Sequence, residues 1–342
     1  MKNNKLKKVI SGSLLLAASF CAGASSYSNS FVFGDSYSDN GNFRAFSGNP
    51  AFPERFSNGP VSPEIVAAHL GLSLTPSLHL IPGVPHGNNY ATATATAVDA
   101  DGDELTPDIN LPTQVNSFLL YHSGIAPSDA LYTVEIGPND IGNAFSIRAA
   151  GMLSETREER LGAIQAAKTT LKAAVESEEA QIRKLIAAGA QSIIVLNAPD
   201  IGTLPWVDMV TENTLALATN NRQERRANRL PRVATRLTVK FNKLLARAIN
   251  RIERDTGVDI IEFDQFSSLA SLIDSADDLG YTQIDNPCIY ILQVLEGQEL
   301  IINPECTDFP AAKGFIYWDE LHPTGTVHAY TAQGVLEQLL SQ

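Results

Sequence analysis

Phe31-Val32-Phe33-Gly34-Asp35-Ser36-Tyr37-Ser38-Asp39-Asn40-Gly41-Asn42 runs from an apolar stretch straight into a polar, glycine-bounded turn. Ser30 to Gly34 shows no polar alternation, so it reads as a strand buried on both faces, the habit of parallel sheets. Three further runs share that character: Ala130 to Gly137, Ser192 to Asn197 and Asp259 to Phe263. Helical stretches separate them. Ser62-Pro63-Glu64 reads as an N-cap followed by proline at the first helical position, opening a helix toward Leu70. Glu158 to Ala188 is rich in Ala, Glu and Lys and stops at Gly189. Thr235 to Asp255 is a second long helix with Gly257 beyond it, and His328 to Leu340 is amphipathic. Strands alternating with helices predict an α/β sheet covered by helices on both faces.

In an open parallel sheet, ligands bind beyond the carboxyl ends of the strands. Ser36, just past the first strand, is placed to attack, and its backbone N–H at a helix N-terminus can donate to an oxyanion. On its own, a serine at a turn is more often a cap. Val134-Glu135-Ile136-Gly137-Pro138-Asn139-Asp140 is a second strand end, where the Asn139 amide can serve the same oxyanion or cap the next turn. Near the C-terminus, Trp318-Asp319-Glu320-Leu321-His322-Pro323-Thr324 sets a carboxylate three residues before a histidine. Serine hydrolysis needs a base for the hydroxyl proton and a carboxylate that orients the base, and Asp319 with His322 can supply both from one loop.

These three segments, in this order, resemble the GDSL, or SGNH, hydrolase family. Gly34-Asp35-Ser36-Tyr37 is similar to the Gly-Asp-Ser-Leu block and differs at its last position. Gly137-Pro138-Asn139-Asp140 fits Gly-x-Asn-Asp, and Asp319 to Pro323 fits Asp-x-x-His-Pro. Arg55-Phe56-Ser57-Asn58-Gly59-Pro60 resembles the segment that follows the first block in the lipase-like branch. The resemblance implies a flavodoxin-like three-layer α/β/α sandwich with about five parallel strands. It also implies roles: Ser36 as nucleophile and oxyanion donor, His322 as general base and then acid, Asp319 orienting His322, and Asn139 donating from its side chain. The family's remaining oxyanion donor is a glycine N–H in its second block. The matching stretch here, Gly87-Asn88-Asn89-Tyr90-Ala91-Thr92-Ala93-Thr94-Ala95, lacks the usual Gly-Gly. Counting from Asn89 puts Thr94 at the glycine position, with Ala93 before it. A non-glycine N–H serves if the local φ/ψ permits. The Gly-x-Ser-x-Gly elbow of the α/β-hydrolases is not met around Ser36.

The activity so implied is cleavage of acyl esters. The lipase-like blocks lean toward phospholipase A, lysophospholipase or acyltransferase action on lipids. An acyl group on Ser36 can pass to water or to another alcohol, a sterol included. A carbohydrate O-deacetylase is the rival activity. A non-catalytic surface-binding protein on a hydrolase scaffold is the rival of a different kind. None of these needs a cofactor or a metal.

The rest of the chain bounds the setting. Lys2, Lys5, Lys7 and Lys8 precede an apolar run from Val9 to about Ala22, and Ala22-Gly23-Ala24 fits a signal-peptidase site, so residues 1–24 read as a secretory signal peptide. Export to the periplasm or beyond follows from that reading. The apolar run is short for a membrane span of about 20 residues. Phe20 before Cys21 does not fit a lipoprotein site. Loss of the four lysines takes the formal charge from −13 to −17, which disfavours nucleic acid. Cys288 and Cys306 then remain as a pair, best read in an exported chain as one disulfide. No Pro/Gly/Ser-rich linker divides residues 25–342, which predicts one domain, with 281–310 as a disulfide-containing insertion and 74–112 as a loop-rich stretch. Asp99 to Glu104 does not space its acids as an EF-hand does. Arg222 to Arg254 holds eleven Lys or Arg against Glu224 and Glu253. It reads as a solvated basic helix face or as a surface for anionic membrane.

Overall fold

The computed structural model describes residues 27–99, 108–295 and 297–341. The expected signal peptide and Asp101 to Glu104 lie outside them. In chain order, β1 (Ser30–Gly34) is followed by α1 (Asn42–Ser47), α2 (Ser62–His69) and α3 (Leu111–Tyr121). Next come β2 (Leu131–Glu135), α4 (Pro138–Leu153), α5 (Arg157–Ala188) and β3 (Ser192–Leu196). A 3-10 turn (Ile201–Thr203) leads into α6 (Pro205–Ala216), α7 (Asn221–Ala227) and α8 (Leu230–Thr256), then β4 (Ile260–Phe263), α9 (Gln265–Asp274) and α10 (Ala276–Leu279). The remaining elements are β5 (Ile289–Tyr290), α11 (Leu292–Leu295), β6 (Ile301–Ile302) and α12 (Gly325–Leu340).

β1 to β4 form one parallel sheet in the order β1-β2-β3-β4. The expected count of about five is met by these four strands and an extended segment beside β1. Val32 N donates to Asn88 O at 3.1 Å, Tyr90 N to Val32 O at 2.7 Å, and Thr92 N to Gly34 O at 3.1 Å. Its neighbour on the far side includes Pro76, which has no N–H to extend a ladder. With that segment second in sequence, the spatial order is the flavodoxin-like 2-1-3-4-5, and the topological switch lies between β1 and β2.

Alternate strand residues face opposite layers. Phe31, Phe33, Tyr132, Val134, Ile193 and Val195 pack with Val115, Phe145, Leu171 and Phe241 from α3, α4, α5 and α8. Leu131, Ile194, Leu196, Ile261 and Phe263 pack with Val66 of α2 and Ala332, Val335 and Leu336 of α12. This gives the three layers. Burial on both faces is why the strands read as unbroken apolar runs. Two helices begin earlier than their patterns suggest. α8 starts at Leu230 rather than Thr235, because Pro231 sits in the first turn, where its missing N–H costs nothing. α12 starts at Gly325 rather than His328. α5 opens on a reciprocal box: Glu159 N donates to Thr156 Oγ1 and Thr156 N to Glu159 Oε2, both at 3.2 Å. Within 281–310, β5 and β6 pair antiparallel, and Cys288 and Cys306 are joined with their Cα atoms 5.2 Å apart.

Candidate active site

The turn after β1 is built from close approach and buried carboxyls. A Cβ on Gly34 would stand 2.3 Å from the Glu135 carbonyl oxygen, so only glycine lets the ends of β1 and β2 meet. Gln114 holds the same residue from the α3 side, accepting from Gly34 N at 2.9 Å and donating to Gly34 O at 2.8 Å. Asp39 accepts from the N–H groups of Gly41, Asn42, Phe43 and Ala93. Burial still pushes its carboxyl up to about 6, against those four donors. Asp35 accepts from Tyr37 N at 3.0 Å. It is held well above the carboxylate range by burial, with Glu135, Asp140 and Asp39 adding to the effect. Ser36 stands between these anchors.

The 317–324 loop folds over this turn. Asp319, with no exposed surface, accepts from Leu321 N and His322 N at 2.9 Å each and lies 2.7 Å from His322 Nδ1. The other ring nitrogen, Nε2, lies 2.8 Å from Ser36 Oγ. With Nδ1 facing a carboxylate, the neutral ring carries its proton there and presents a lone pair to the serine.

The Arg55 to Pro60 segment clamps the same loop. Ser57 Oγ donates to Pro323 O at 3.2 Å, Asn58 Oδ1 accepts from Gly325 N at 2.7 Å, and the Phe56 ring lies 5.0 Å from the His322 ring. Three other anchors carry no motif signal: Tyr37 Oη donates to Leu321 O at 3.0 Å, Trp206 N to Glu320 O at 3.0 Å, and Ile291 N to Glu320 Oε2 at 2.8 Å. His328 accepts from Ser62 N at 3.3 Å and is buried, which with nearby His322 lowers its pKa to about 3. It is a neutral structural histidine joining α12 to α2.

The other wall comes from β2 and from the segment beside β1. Gly137 has φ +124°, and a Cβ there would strike the Phe241 ring at 2.4 Å. That turn delivers Asn139 in the first turn of α4, where Nδ2 donates to Ala95 O at 2.8 Å and keeps its second hydrogen. Asp140 accepts from Ala97 N at 2.9 Å, and burial pushes its carboxyl up to about 7. Thr94 has φ +66°, the left-handed region that usually calls for glycine. Ala93 N is spent on Asp39, whereas neither Ser36 N nor Thr94 N donates to a protein group among the described residues. Ser36, Thr94, Asn139 and His322 line one cavity of about 320 Å³, with Ile201, Leu204 and Trp206 forming its apolar side. Larger surface clefts lie beside Arg44 and between α5 and α8, and neither holds a nucleophile with a base. Among the described residues no group of three His, Cys, Asp or Glu can hold a metal ion.

A hydroxyl, an imidazole and a carboxylate in series, facing three open N–H donors, form an arrangement suited to acyl transfer through a tetrahedral oxyanion. The sequence profile of the GDSL-like Lipase/Acylhydrolase family matches residues 31–335. The chain belongs to this family. As a GDSL-like acylhydrolase it is a carboxylic-ester hydrolase. A GDSL esterase/lipase of Arabidopsis thaliana is 25% identical, over 91% of this chain and 88% of its own length. Acetylajmalan esterase 2 of Rauvolfia serpentina is 27% identical, over 91% and 90%. The thermolabile hemolysin of Vibrio parahaemolyticus is 24% identical over 90% of this acylhydrolase and 62% of its own length. Among solved structures, the extracellular lipase of Streptomyces rimosus aligns with 92% of this chain and 98% of its own at 15% identity, with a TM-score of 0.40.

Proposed function

We propose that this acylhydrolase is an exported lipase of the phospholipase A or lysophospholipase kind, with Ser36 as nucleophile, His322 as base and Asp319 as the carboxylate behind it. The supporting observation is the 2.8 Å approach of Ser36 Oγ to His322 Nε2, with Asp319 2.7 Å from Nδ1. Ser36 Oγ attacks the ester carbonyl while His322 Nε2 takes its proton. The oxyanion is met by the N–H groups of Ser36 and Thr94 and by Asn139 Nδ2. Collapse expels the alcohol, which His322 protonates, and leaves an acyl-Ser36 ester. Water, or a second alcohol such as a sterol, attacks that ester by the same steps in reverse.

Ile201, Leu204 and Trp206 favour an acyl chain over acetyl. The Vibrio relative's name denotes red-cell lysis, which agrees with a membrane-lipid substrate. The basic-then-apolar residues 1–24 and the Cys288–Cys306 bond favour export to an oxidising compartment. The test is chain-length preference on p-nitrophenyl esters and lipid product analysis for wild type, Ser36→Ala and His322→Ala. Expected are a preference for longer acyl chains and a loss of at least about 10⁴-fold in both variants. Strict acetyl preference, or turnover surviving in Ser36→Ala, would overturn the reading.

A further inference from the structure

α8 carries a charge pattern that the chemistry at Ser36 does not use. Its core side is Leu230, Ala234, Leu237, Phe241, Leu245, Ala248 and Ile252. At three- and four-residue steps on the opposite side stand Arg229, Arg232, Arg236, Lys240, Lys243 and Arg247, all exposed. At about 1.5 Å per residue they make a straight ridge about 27 Å long. No ion pair engages any of the six among the described residues, whereas Arg251 is turned onto Glu179 and Arg254 onto Asp255. Glu253 accepts from Ile260 N and so faces β4. Lys240 borders the cleft that Glu176 and Glu179 also line, and the other five basic residues make a local positive field on an acidic body of net charge −13.

α8 also adjoins the cavity. Thr235 Oγ1 donates to Asp200 Oδ2 at 2.9 Å, and Ile201 N donates to Thr238 Oγ1 at 3.4 Å. Ile201 is part of the apolar wall of the cavity. The first half of α8 therefore stands directly behind that wall.

We infer that the outer face of α8 docks this protein onto an anionic phospholipid surface, holding the Ser36 cavity beside the lipid it acts on. The inference rests on the lipid-ester reading. An exposed row of basic side chains along one helix suits a planar anionic leaflet along its length. Single-stranded nucleic acid instead wants a groove with aromatic stacking platforms, and the one aromatic of α8, Phe241, is buried. Each basic residue near such a leaflet strengthens partitioning roughly fivefold, and the effect is screened by salt.

The test is vesicle co-sedimentation in a Ser36→Ala background, which prevents lipid turnover. Vesicles are phosphatidylcholine with and without phosphatidylglycerol, at low and high salt. Expected are binding that needs phosphatidylglycerol, release by salt, and a loss of roughly a hundredfold or more in Arg232→Glu/Arg236→Glu/Lys243→Glu. The neutral Arg232→Gln/Arg236→Gln/Lys243→Gln variant is expected to lose less. With Ser36 intact, both triple variants are expected to hydrolyse a soluble butyrate ester at the wild-type rate, which verifies folding. Equal binding to both vesicles, wild-type binding by both triple variants, or tighter retention by heparin or duplex DNA than by phosphatidylglycerol overturns the inference. Absence of all esterase activity would instead sink the lipid-ester reading, and the vesicle result would remain readable.

Discussion

Asn139 Nδ2 donates to the Ala95 carbonyl at 2.8 Å, tying the turn after β2 to the segment beside β1. The bond spends one amide hydrogen and fixes where the other points. It also holds Thr94, the residue before Ala95, against the same cavity. Asn139→Ala removes a donor and the tie together. Loss of one oxyanion donor costs roughly 10²–10³ in kcat. With Thr94 also loosened, the upper end of that range is expected, with KM for a short ester little changed. Steady-state kinetics with both constants resolved checks this, and a variant that loses only KM would mean that Asn139 binds ground state rather than oxyanion.

Thr94 at φ +66° carries a side chain where the backbone favours none. A non-glycine in the left-handed region costs on the order of 1 kcal/mol, and glycine there recovers about that while losing a similar amount to unfolded-chain entropy. Thr94→Gly is therefore expected to keep both activity and Tm near wild type. Thr94→Pro fixes φ near −65° and deletes the N–H, so activity is expected to fall at least about 10²-fold. Comparable activity in the two variants would remove the Thr94 N–H from the mechanism.

The strand ends and the Asp319–His322 spacing were legible because continuous apolar runs and fixed motif spacing are local properties. Ser30 to Gly34 and Ser192 to Asn197 needed no partner to be recognised. Counting from Asn89 reaches Thr94 in the cavity wall because the chain from Asn89 onward runs beside β1. The anchors that place the site were not legible. Gln114 reaches Gly34 from 80 residues away, and Tyr37 reaches Leu321 across 284. Glu320 sits between two motif residues, yet its role depends on the Ile291 amide, which only the fold brings to it. Side chains that bind distant backbone leave no periodic trace.

The acids behind the site set a pH dependence of stability. Burial raises Asp39 to about 6 and Asp140 to about 7. Both groups hold their protons longer in the folded than in the unfolded chain. Their contribution is fully present below about pH 4, the ordinary aspartate range. It is lost as pH rises through 6 and then 7. For Asp140, each pH unit in that window is worth about 1.4 kcal/mol, or roughly 2–4 °C in Tm. Asp140→Asn keeps an oxygen to accept from Ala97 N and removes the titration. Its Tm is expected to fall less than that of wild type between about pH 4 and pH 7, the window between the ordinary and the raised pKa. Parallel Tm curves from scanning calorimetry would refute the assignment.

The disulfide segment is fastened to the His322 loop by backbone and by one buried acid. Cys288 N donates to Tyr317 O at 3.1 Å and Ile289 N to Trp318 O at 2.9 Å, while Glu320 Oε2 takes Ile291 N at 2.8 Å. Closing a loop of 18 residues is worth about 3 kcal/mol in the chain-entropy account. Cys288→Ser/Cys306→Ser is therefore expected to unfold at distinctly lower temperature, and dithiothreitol should move wild type the same way. Glu320→Ala leaves the Ile291 N–H buried without a partner, at about 1–3 kcal/mol. Because Glu320 lies between Asp319 and His322, the displacement reaches the imidazole, and kcat is expected to fall tenfold or more on a soluble ester. Glu320→Gln retains an acceptor for Ile291 and is expected to stay within a few fold of wild type. If Glu320→Ala lost stability while keeping full kcat, the acid would hold the insertion in place without positioning His322.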